Sequence, residues 1–316
     1  MTIENLLVVT SEPRSVFLEI LFKYLKSRNK RKKIKRITLI GNKEIIQKEA
    51  KVNNYKKNFK EIERINEAIN DKVNIINIKI NKQDKKNYIS SYISDSFEKS
   101  LKILKKSKNI ALLNGPIEKE SFLKKKYLGV TEYLAKKTSS KNSVMLIYNK
   151  KISVSPITTH LPVKFIAKNI SRKRIIKNTT SINNFYMNYL KKKPRIAVLG
   201  LNPHCETIEK EGEEIKEIIP AINFLKKKKL NINGPYSADT FFIKKNIDRY
   251  DVVIGMYHDQ VLTPLKTIFN FNAINITIGL PFLRISPDHG PNYEMYGKNK
   301  SDPASIFCAM EFLDNI

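Results

Sequence analysis

Each of the four histidines in the chain lies a few residues beyond a short apolar run of the kind that forms a buried strand. In open α/β sheets, ligands bind outside the carboxyl ends of the strands. The histidines therefore occupy positions where such a fold builds its sites. A single histidine at one of these positions is more often structural, whereas four in equivalent positions favour a functional site. They are His160, His204, His258 and His289.

The first three of these histidines have the chemistry of a metal site. Imidazole is a ligand of zinc, iron, cobalt and nickel, and carboxylates add affinity for magnesium or manganese. A site that combines the three imidazoles with the carboxylate of Asp239 or Asp259 could hold a divalent cation and leave positions open for a substrate. The ligands are far apart in the sequence, so their spacing alone is not diagnostic.

Three further polar residues suit the recognition of a phosphorylated acid. Lys266 offers a point charge, Asn275 an amide and Arg284 a planar fork that binds phosphate or carboxylate through two hydrogen bonds. Turns rich in glycine and proline lie near these residues and near the histidines. Ordinary surface ion pairing is the alternative role for these residues, and their types alone leave it open.

The elements that must position these residues alternate along the chain. Short apolar runs follow amphipathic stretches from the N-terminus to the C-terminus, which predicts an α/β fold with a largely parallel or mixed sheet. The clearest predicted helix covers residues 211–230, acidic at its start and lysine-rich at its end, and Pro220 is expected to kink it. Without a long linker, two domains would share a cleft.

Composition narrows the class of protein further. The 316 residues carry a formal net charge of +29, and a basic excess is the electrostatic footprint of nucleic-acid binding. The lysines are scattered in short runs, however, and no known nucleic-acid-binding motif accompanies them, so we do not expect nucleic acid as a partner. No membrane span or signal peptide is expected, which predicts a cytoplasmic protein. Two cysteines cannot form a disulfide framework.

Six segments, in the same order along the chain, resemble the 4-hydroxythreonine-4-phosphate dehydrogenase family of vitamin B6 (pyridoxal phosphate) biosynthesis. The resemblance is dense from about residue 110 to the C-terminus. It implies the isocitrate and isopropylmalate dehydrogenase-like fold, in which two α/β domains flank a cleft and the protein is a homodimer. The segments are TTHLPVKFIA (158–167), GLNPHCE (200–206), EEIKEIIPAI (213–222), NGPYSADTFF (233–242), YDVVIGMYHDQVLTPLK (250–266) and INITIGLPFLRISPDHG (274–290).

The same resemblance assigns roles and domain boundaries. Residues 1–130 and 282–316 would form the nucleotide-side domain, and residues 131–281 the metal and dimerisation domain. One metal ligand would cross the dimer interface, with His258 facing the other two from the partner subunit. Lys266 and Asp239 would be catalytic. The implied metal ligands are His160, His204 and His258; the implied substrate-binding residues are Thr131, Lys266, Asn275 and Arg284; and the implied cofactor-binding residues are Asp288, His289 and Gly290.

The implied reaction is an NAD- or NADP-dependent oxidation of 4-phosphohydroxy-L-threonine with decarboxylation to 3-amino-2-oxopropyl phosphate. The cation, which would be Zn, Mg, Co or Mn, would stabilise the alkoxide and then the enolate. Two alternatives stay open. One is a dehydrogenase for a related 4-phosphorylated hydroxy acid, such as 4-phosphoerythronate or 4-phosphothreonate. The other is a non-catalytic basic homologue that binds nucleic acid.

The chain departs from the family pattern at three places. A glycine-rich turn after the first strand is replaced by residues 11–17, which contain no glycine. Val130 stands where the family has a histidine, which would remove one imidazole from the substrate pocket. Residues 206–210 replace a glycine-rich run after His204. The implied metal ligands are retained, so these departures bear on the substrate contacts and on activity.

Overall fold

The computed structural model describes residues 3–28, 33–81, 87–118, 122, 127, 129–206 and 212–316. The chain forms two compact units. Unit 1 comprises Met1–Thr138 and Leu280–Ile316, and unit 2 comprises Ser139–Gly279. The helix Val130–Lys137 belongs to unit 1 because Tyr133 and Leu134 are buried in its hydrophobic cluster. The boundary expected from the sequence lay before Thr131.

The described strands number twelve and alternate with helices, as the apolar runs predict. They are β1 (Asn5–Val9), β2 (Arg36–Gly41), β3 (Phe59–Glu61), β4 (Val73–Asn77), β5 (Ile110–Asn114), β6 (Val144–Tyr148), β7 (Ser153–Thr158), β8 (Ile196–Leu199), β9 (Ile232–Tyr236), β10 (Val252–Tyr257), β11 (Ile274–Ile278) and β12 (Arg284–Pro287).

The sheet of unit 1 runs in the order β3-β4-β2-β1-β5-β12, and its neighbouring strands pair in parallel. Its strands β1, β2, β4 and β5 are largely buried and rich in Leu, Ile and Val, as expected when helices cover both faces of a parallel sheet, whereas the edge strand β3 is partly exposed. The helices of this unit are Phe17–Ser27, Lys43–Val52, Tyr88–Lys106, Val130–Lys137 and Ala304–Asn315.

The sheet of unit 2 runs in the order β11-β6-β7-β10-β8-β9. The pairs β11–β6 and β6–β7 are antiparallel, and the pairs β7–β10, β10–β8 and β8–β9 are parallel. The carboxyl ends of β7, β10 and β8 therefore lie side by side at one edge of this sheet. Its helices are Arg172–Phe185, Ile219–Lys227, Ala238–Phe241, Lys244–Ile247 and His258–Phe269.

Pro220 shapes the helix predicted over residues 211–230. A π-helical turn, Glu214–Ile218, precedes the α-helix Ile219–Lys227, whose second residue is Pro220. Proline has no N–H to donate to the preceding turn and its ring crowds the carbonyl there, so one wider turn relieves the conflict. The kink expected from the sequence thus takes the form of a π turn. No helix among the described residues is long and apolar enough to cross a membrane.

Candidate active site

Strand pairing brings two of the histidines together. In the parallel pair β7–β10, Thr158 lies opposite Tyr257. His160 lies two residues beyond Thr158, and His258 directly follows Tyr257. Their ring centroids are 6.0 Å apart. Both rings are at least partly exposed at the sheet edge, where an ion or a substrate could reach them.

A carboxylate orients one of these rings. His258 Nδ1 lies 2.6 Å from Asp259 Oδ1. An ionised carboxylate only accepts hydrogen bonds, so Nδ1 carries the proton and donates it. This tautomer leaves the lone pair of Nε2 for a ligand, which is the usual arrangement of a metal-binding histidine and its carboxylate partner.

His204 lies apart from this pair. It belongs to the short 3₁₀ segment Pro203–Cys205 after β8, and its neighbour is Asp239. The pKa of the Asp239 carboxyl is lowered, chiefly by a hydrogen bond from the Ser237 hydroxyl and further by the charge of His204. Within the part of the chain that the structure describes, no three His, Cys, Asp or Glu side chains are close enough to hold a common metal ion.

Which subunit supplies each histidine stays a prediction, because the structure describes one chain. The resemblance places His258 opposite both His160 and His204, across a subunit boundary. Within one chain, the pairing of β7 with β10 makes His160 and His258 neighbours. His204 is the histidine that stands alone.

Two of the three histidines have left-handed backbone conformations. The φ angles of His160 and His204 are 49° and 56°. Such conformations are uncommon outside glycine, cost of order 1–3 kcal/mol each, and persist where the surrounding structure over-determines them. Their presence at two candidate metal ligands supports a functional site at the carboxyl ends of these strands. The residue types alone do not predict these φ angles.

Two buried side chains, missed in the sequence, hold the strand ends that carry the histidines. The Glu214 carboxylate accepts hydrogen bonds from the backbone N–H groups of Leu201 and Asn202 at 2.7 and 2.8 Å. Gln260 accepts from Met256 N and donates to Gly200 O, both at 2.7 Å. Their only sequence signal is that each polar residue falls on the inward face of a helix.

The other candidates in unit 2 lie on neighbouring elements. Lys266 lies in the helix that begins at His258, half-buried and two turns further along. Asn275 lies on β11, and its side-chain Oδ1 is buried without a hydrogen-bond partner among the described residues. A buried acceptor without a partner is costly, so a ligand donor at this position would stabilise it.

In unit 1, Arg284 is a fully buried cation. Its side chain is 2% exposed, and its Nε donates to Asn114 Oδ1 at 2.7 Å. Burial lowers the pKa of the guanidinium to about 10, and the nearby Glu132 carboxylate opposes this shift. Glu132 follows Thr131, so the structure brings both unit 1 candidates for substrate binding to the same region.

The cofactor candidates Asp288, His289 and Gly290 form the loop after β12 in unit 1. His289 Nδ1 lies 2.8 Å from Gly290 O. The next residue, Pro291, accepts a hydrogen bond from Val16 N at 3.1 Å. The loop is thereby joined to the glycine-free segment 11–17.

Comparison with known proteins decides the family. A family profile described as "Pyridoxal phosphate biosynthetic protein PdxA" matches residues 33–313. The chain belongs to the PdxA family. It is 35% identical over 316 residues to a 4-hydroxythreonine-4-phosphate dehydrogenase from Sulfurihydrogenibium sp. (strain YO3AOP1), covering 97% of this chain and 96% of the relative. Expectations of this family and of an oxidoreductase are confirmed.

Solved structures agree with the family. The crystal structure of 4-hydroxythreonine-4-phosphate dehydrogenase from Klebsiella pneumoniae has a TM-score of 0.82 at 25% identity and covers 98% of each chain. A β-decarboxylating dehydrogenase from Thermococcus kodakarensis has a TM-score of 0.52 at 15% identity, covering 98% of this chain and 81% of that one. The second likeness concerns the fold alone. The predicted α/β fold of the isocitrate dehydrogenase type is confirmed.

Within the PdxA family, the three departures of this chain have different structural settings. Val130 is partly buried and packs against the hydrophobic cluster of unit 1, so its side chain contributes to the core as well as to any pocket. Ser11 adopts a φ of 57°, a conformation that suits the glycine-rich turn of the family. Residues 207–210 of the third departure lie outside the described residues.

Proposed function

We propose that the chain oxidises 4-phosphohydroxy-L-threonine with NAD or NADP and a divalent cation, and that decarboxylation gives 3-amino-2-oxopropyl phosphate. The observation that carries the proposal is the His160–His258 pair, 6.0 Å apart at adjoining strand ends, in a chain of the PdxA family. This reaction belongs to the biosynthesis of vitamin B6, and we propose that it takes place in the cytoplasm.

The donor set fits a divalent cation. Two imidazoles lie side by side, and Asp259 holds the proton of one on Nδ1, so that Nε2 is free to bind. His204 is the proposed third ligand. Imidazoles favour Zn or Co, although Mg and Mn are also candidates. A bound cation would act as a Lewis acid on the substrate oxygens during oxidation and decarboxylation.

The side chains of unit 2 supply the remaining chemistry. Lys266 is eight residues from His258 in one helix, about 12 Å along its axis. This separation suits a lysine that binds the phosphate of a short substrate whose hydroxyl lies at the histidines, and we propose a proton-shuttle role for it as well. Asn275 would donate or accept at a substrate oxygen. Asp239, whose pKa is lowered, stays ionised at neutral pH and would support His204 electrostatically.

Candidates in unit 1 complete the proposed set. Thr131 and Arg284 are the proposed substrate-binding residues, and the guanidinium suits a phosphate or carboxylate. Asp288, His289 and Gly290 are the proposed contacts of NAD or NADP. A bound nicotinamide ring would accept the hydride.

A homodimer is proposed because two apolar surfaces flank the histidines of unit 2. Val163 and Phe165, just beyond His160, are 81% and 44% exposed. Ile215 and Ile219, beside Glu214, are 49% and 38% exposed. We propose that these exposed apolar side chains belong to a subunit interface. A partner subunit covering these surfaces would provide a second His204 for the pair.

The activity named for one relative supports a second candidate substrate. A D-threonate 4-phosphate dehydrogenase from Pectobacterium atrosepticum is 34% identical over 204 residues, covering 64% of this chain and 63% of the relative. Val130, which replaces the family's histidine, removes a hydrogen-bonding group from the substrate region. The second candidate function is therefore the oxidation of D-threonate 4-phosphate or a similar 4-phosphorylated acid, such as 4-phosphoerythronate.

The test combines turnover with metal binding. Formation of NADH and NADPH is followed with 4-phosphohydroxy-L-threonine, D-threonate 4-phosphate and 4-phosphoerythronate, with chelator and with each added cation. Zn²⁺ and Co²⁺ affinities are measured for His160→Ala, His204→Ala and His258→Ala, with His289→Ala as the matched control. We expect each of the three variants to lose cation affinity by more than ~10–100-fold, which is the range typical of a residue that orients a metal-binding side chain without binding the metal itself.

Two results would contradict the proposal. Wild-type cation affinity in the three histidine variants would exclude the proposed metal site. If a folded and metal-loaded protein turns over none of the three acids, the proposed reaction is wrong. A clear preference among the acids selects between the first and second candidate functions.

A further inference from the structure

We propose that Glu214 is a positioning residue that fixes the segment carrying His204. The inference rests on the proposed function, in which His204 binds the cation, but its first test does not require a cation. The side chain of Glu214 hydrogen-bonds to Leu201 and Asn202, just before the histidine in the chain. It acts through the backbone between β8 and the histidine.

The Glu214 carboxylate binds this segment at three points. Oε1 accepts from Leu201 N at 2.7 Å and from Asn202 N at 2.8 Å, and Oε2 accepts from Asn202 Nδ2 at 2.8 Å. The side chain is 1% exposed. Hydrogen bonds to an ionised acceptor are roughly twice as strong as neutral ones, and burial removes competition from water. The turn after β8 is thus held at two consecutive amides.

The segment needs such support because its backbone is strained. His204 and Cys205 have φ angles of 56° and 59°, two consecutive left-handed residues without a glycine. Each costs of order 1–3 kcal/mol relative to ordinary conformations. Anchoring Leu201 and Asn202, just before the left-handed pair, fixes the direction in which the chain enters it.

Close packing around Gly200 reinforces the anchor. A Cβ added at Gly200 would lie 2.7 Å from Cys205 Sγ and 3.0 Å from Glu214 Oε1. The absence of a side chain therefore lets the carboxylate and the Cys205 side chain close on the turn from both directions. Glu214 is also the first residue of the π turn before Pro220, a local widening of the helix. Such turns are frequent at functional sites.

A second buried side chain connects this segment to the histidine pair. Gln260 donates to Gly200 O and accepts from Met256 N, each at 2.7 Å, and Met256 lies two residues before His258. The turn that Glu214 holds is therefore fixed relative to β10. Displacing it would move His204 while leaving the His160–His258 pair in place.

The first measurement is amide hydrogen exchange in the cation-free protein. In Glu214→Gln, the oxygen that accepts from Leu201 N and Asn202 N is no longer charged, and the new NH₂ group faces the Nδ2 donor of Asn202. We expect faster exchange at these two amides, by up to about 10-fold, because a neutral acceptor binds them roughly half as strongly as a carboxylate does. Glu217→Gln, in the same π turn and bonded to Arg172 N, is the matched control and should leave both rates unchanged.

The second measurement is Zn²⁺ or Co²⁺ affinity in a double-mutant cycle with His204→Ala. Glu214→Gln alone should weaken binding by roughly 10–100-fold, the range for residues that orient a ligand. In the His204→Ala background it should have no further effect, because the ligand it positions is gone. A purely structural role would instead lower affinity equally in both backgrounds.

A milder variant keeps the test valid if Glu214→Gln does not fold. Asn202→Ala removes the side-chain donor to Glu214 and Glu213 but keeps both backbone donors to Glu214. We expect a smaller loss of cation affinity, again absent in the His204→Ala background. Unchanged exchange at Leu201 and Asn202, or equal losses in both backgrounds, overturns the role of Glu214. Wild-type affinity in His204→Ala alone overturns instead the metal site of the proposed function.

Discussion

At the residue scale, the sequence predicts which side chains could bind ligands but not how they are arranged. The types and strand-end positions of His160, His204 and His258 predict an edge where ligands bind. Their backbone angles, the proton position on His258 and the buried bonds of Glu214 depend on neighbours distant in sequence. A glutamate inside a predicted helix looks solvated until the fold buries it.

Arg284 allows a prediction about charge in a buried position. In Arg284→Lys the hydrogen bond to Asn114 Oδ1 is lost, so the free energy of unfolding should fall by about 1–3 kcal/mol. Burial lowers the pKa of Arg284 to about 10. A similar shift on a lysine, starting from about 10.4, would give a pKa of about 8.

The pH dependence follows from that shift. The wild-type guanidinium stays charged from pH 7 to pH 9, whereas the substituted lysine loses its proton as the pH rises through about 8. The Michaelis constant for the phosphorylated substrate should therefore rise between pH 7 and pH 9 in Arg284→Lys but not in the wild type. Steady-state kinetics across this range check it, and parallel profiles would show that Arg284 does not bind the substrate.

At the element scale, the sequence predicts the strands but not their neighbours. Apolar runs locate β7, β8 and β10, and Pro220 correctly marks the irregular turn in the helix that follows β8. Strand order in a sheet depends on pairings between segments nearly a hundred residues apart, which apolar periodicity does not encode. For that reason the pairing of His160 with His258 emerged only from the register of β7 with β10.

An ion pair joins the residues just before β8 and β10, at the ends of these strands that lie away from the histidines. It allows a test of stability. Asp251 is 7% exposed and accepts from Arg195 N at 2.8 Å, Arg195 Nε at 3.2 Å and Lys192 Nζ at 2.7 Å. Although burial opposes it, these donors lower the pKa of its carboxyl to about 2. Because the folded-state pKa is depressed, the ionised form stabilises the fold above about pH 4, and this contribution is lost as the pH falls towards about 2.

We therefore expect Asp251→Asn to lower the free energy of unfolding by about 2 kcal/mol at pH 7, with the difference shrinking towards zero near pH 2. Denaturant unfolding at several pH values measures it. Cation affinity should be unchanged, because Asp251 and the histidines lie at opposite ends of these strands. A difference that does not vary with pH would mean that the carboxylate charge is not what stabilises the strand ends.

At the scale of the whole molecule, the family could be identified from six motifs, but the assembly could not. Motifs preserve the residues that meet a ligand and say little about which chain supplies each one. The structure divides the three histidines into a same-chain pair and a separate His204, and the described residues contain no third ligand for the pair. The proposed homodimer, in which each pair would receive His204 from the partner subunit, would account for this division.

Subunit mixing tests that arrangement. Inactive His204→Ala and inactive His258→Ala proteins, mixed and allowed to exchange subunits, would form hybrid dimers in which one of the two sites has all three histidines. Random pairing makes about half of the dimers hybrid, so activity should recover to about a quarter of the wild-type value. Turnover and cation content of the exchanged mixture, compared with each variant alone, measure the recovery.

The same-chain pair supplies the control for this experiment. Mixing His160→Ala with His258→Ala should restore nothing, because each intact pair requires both residues from one chain. Recovery in this second mixture would mean that His160 and His258 meet across the interface, as the resemblance alone implied. If subunit exchange is demonstrated by mass spectrometry and neither mixture recovers, the site is built within a single chain and the shared-site dimer is wrong.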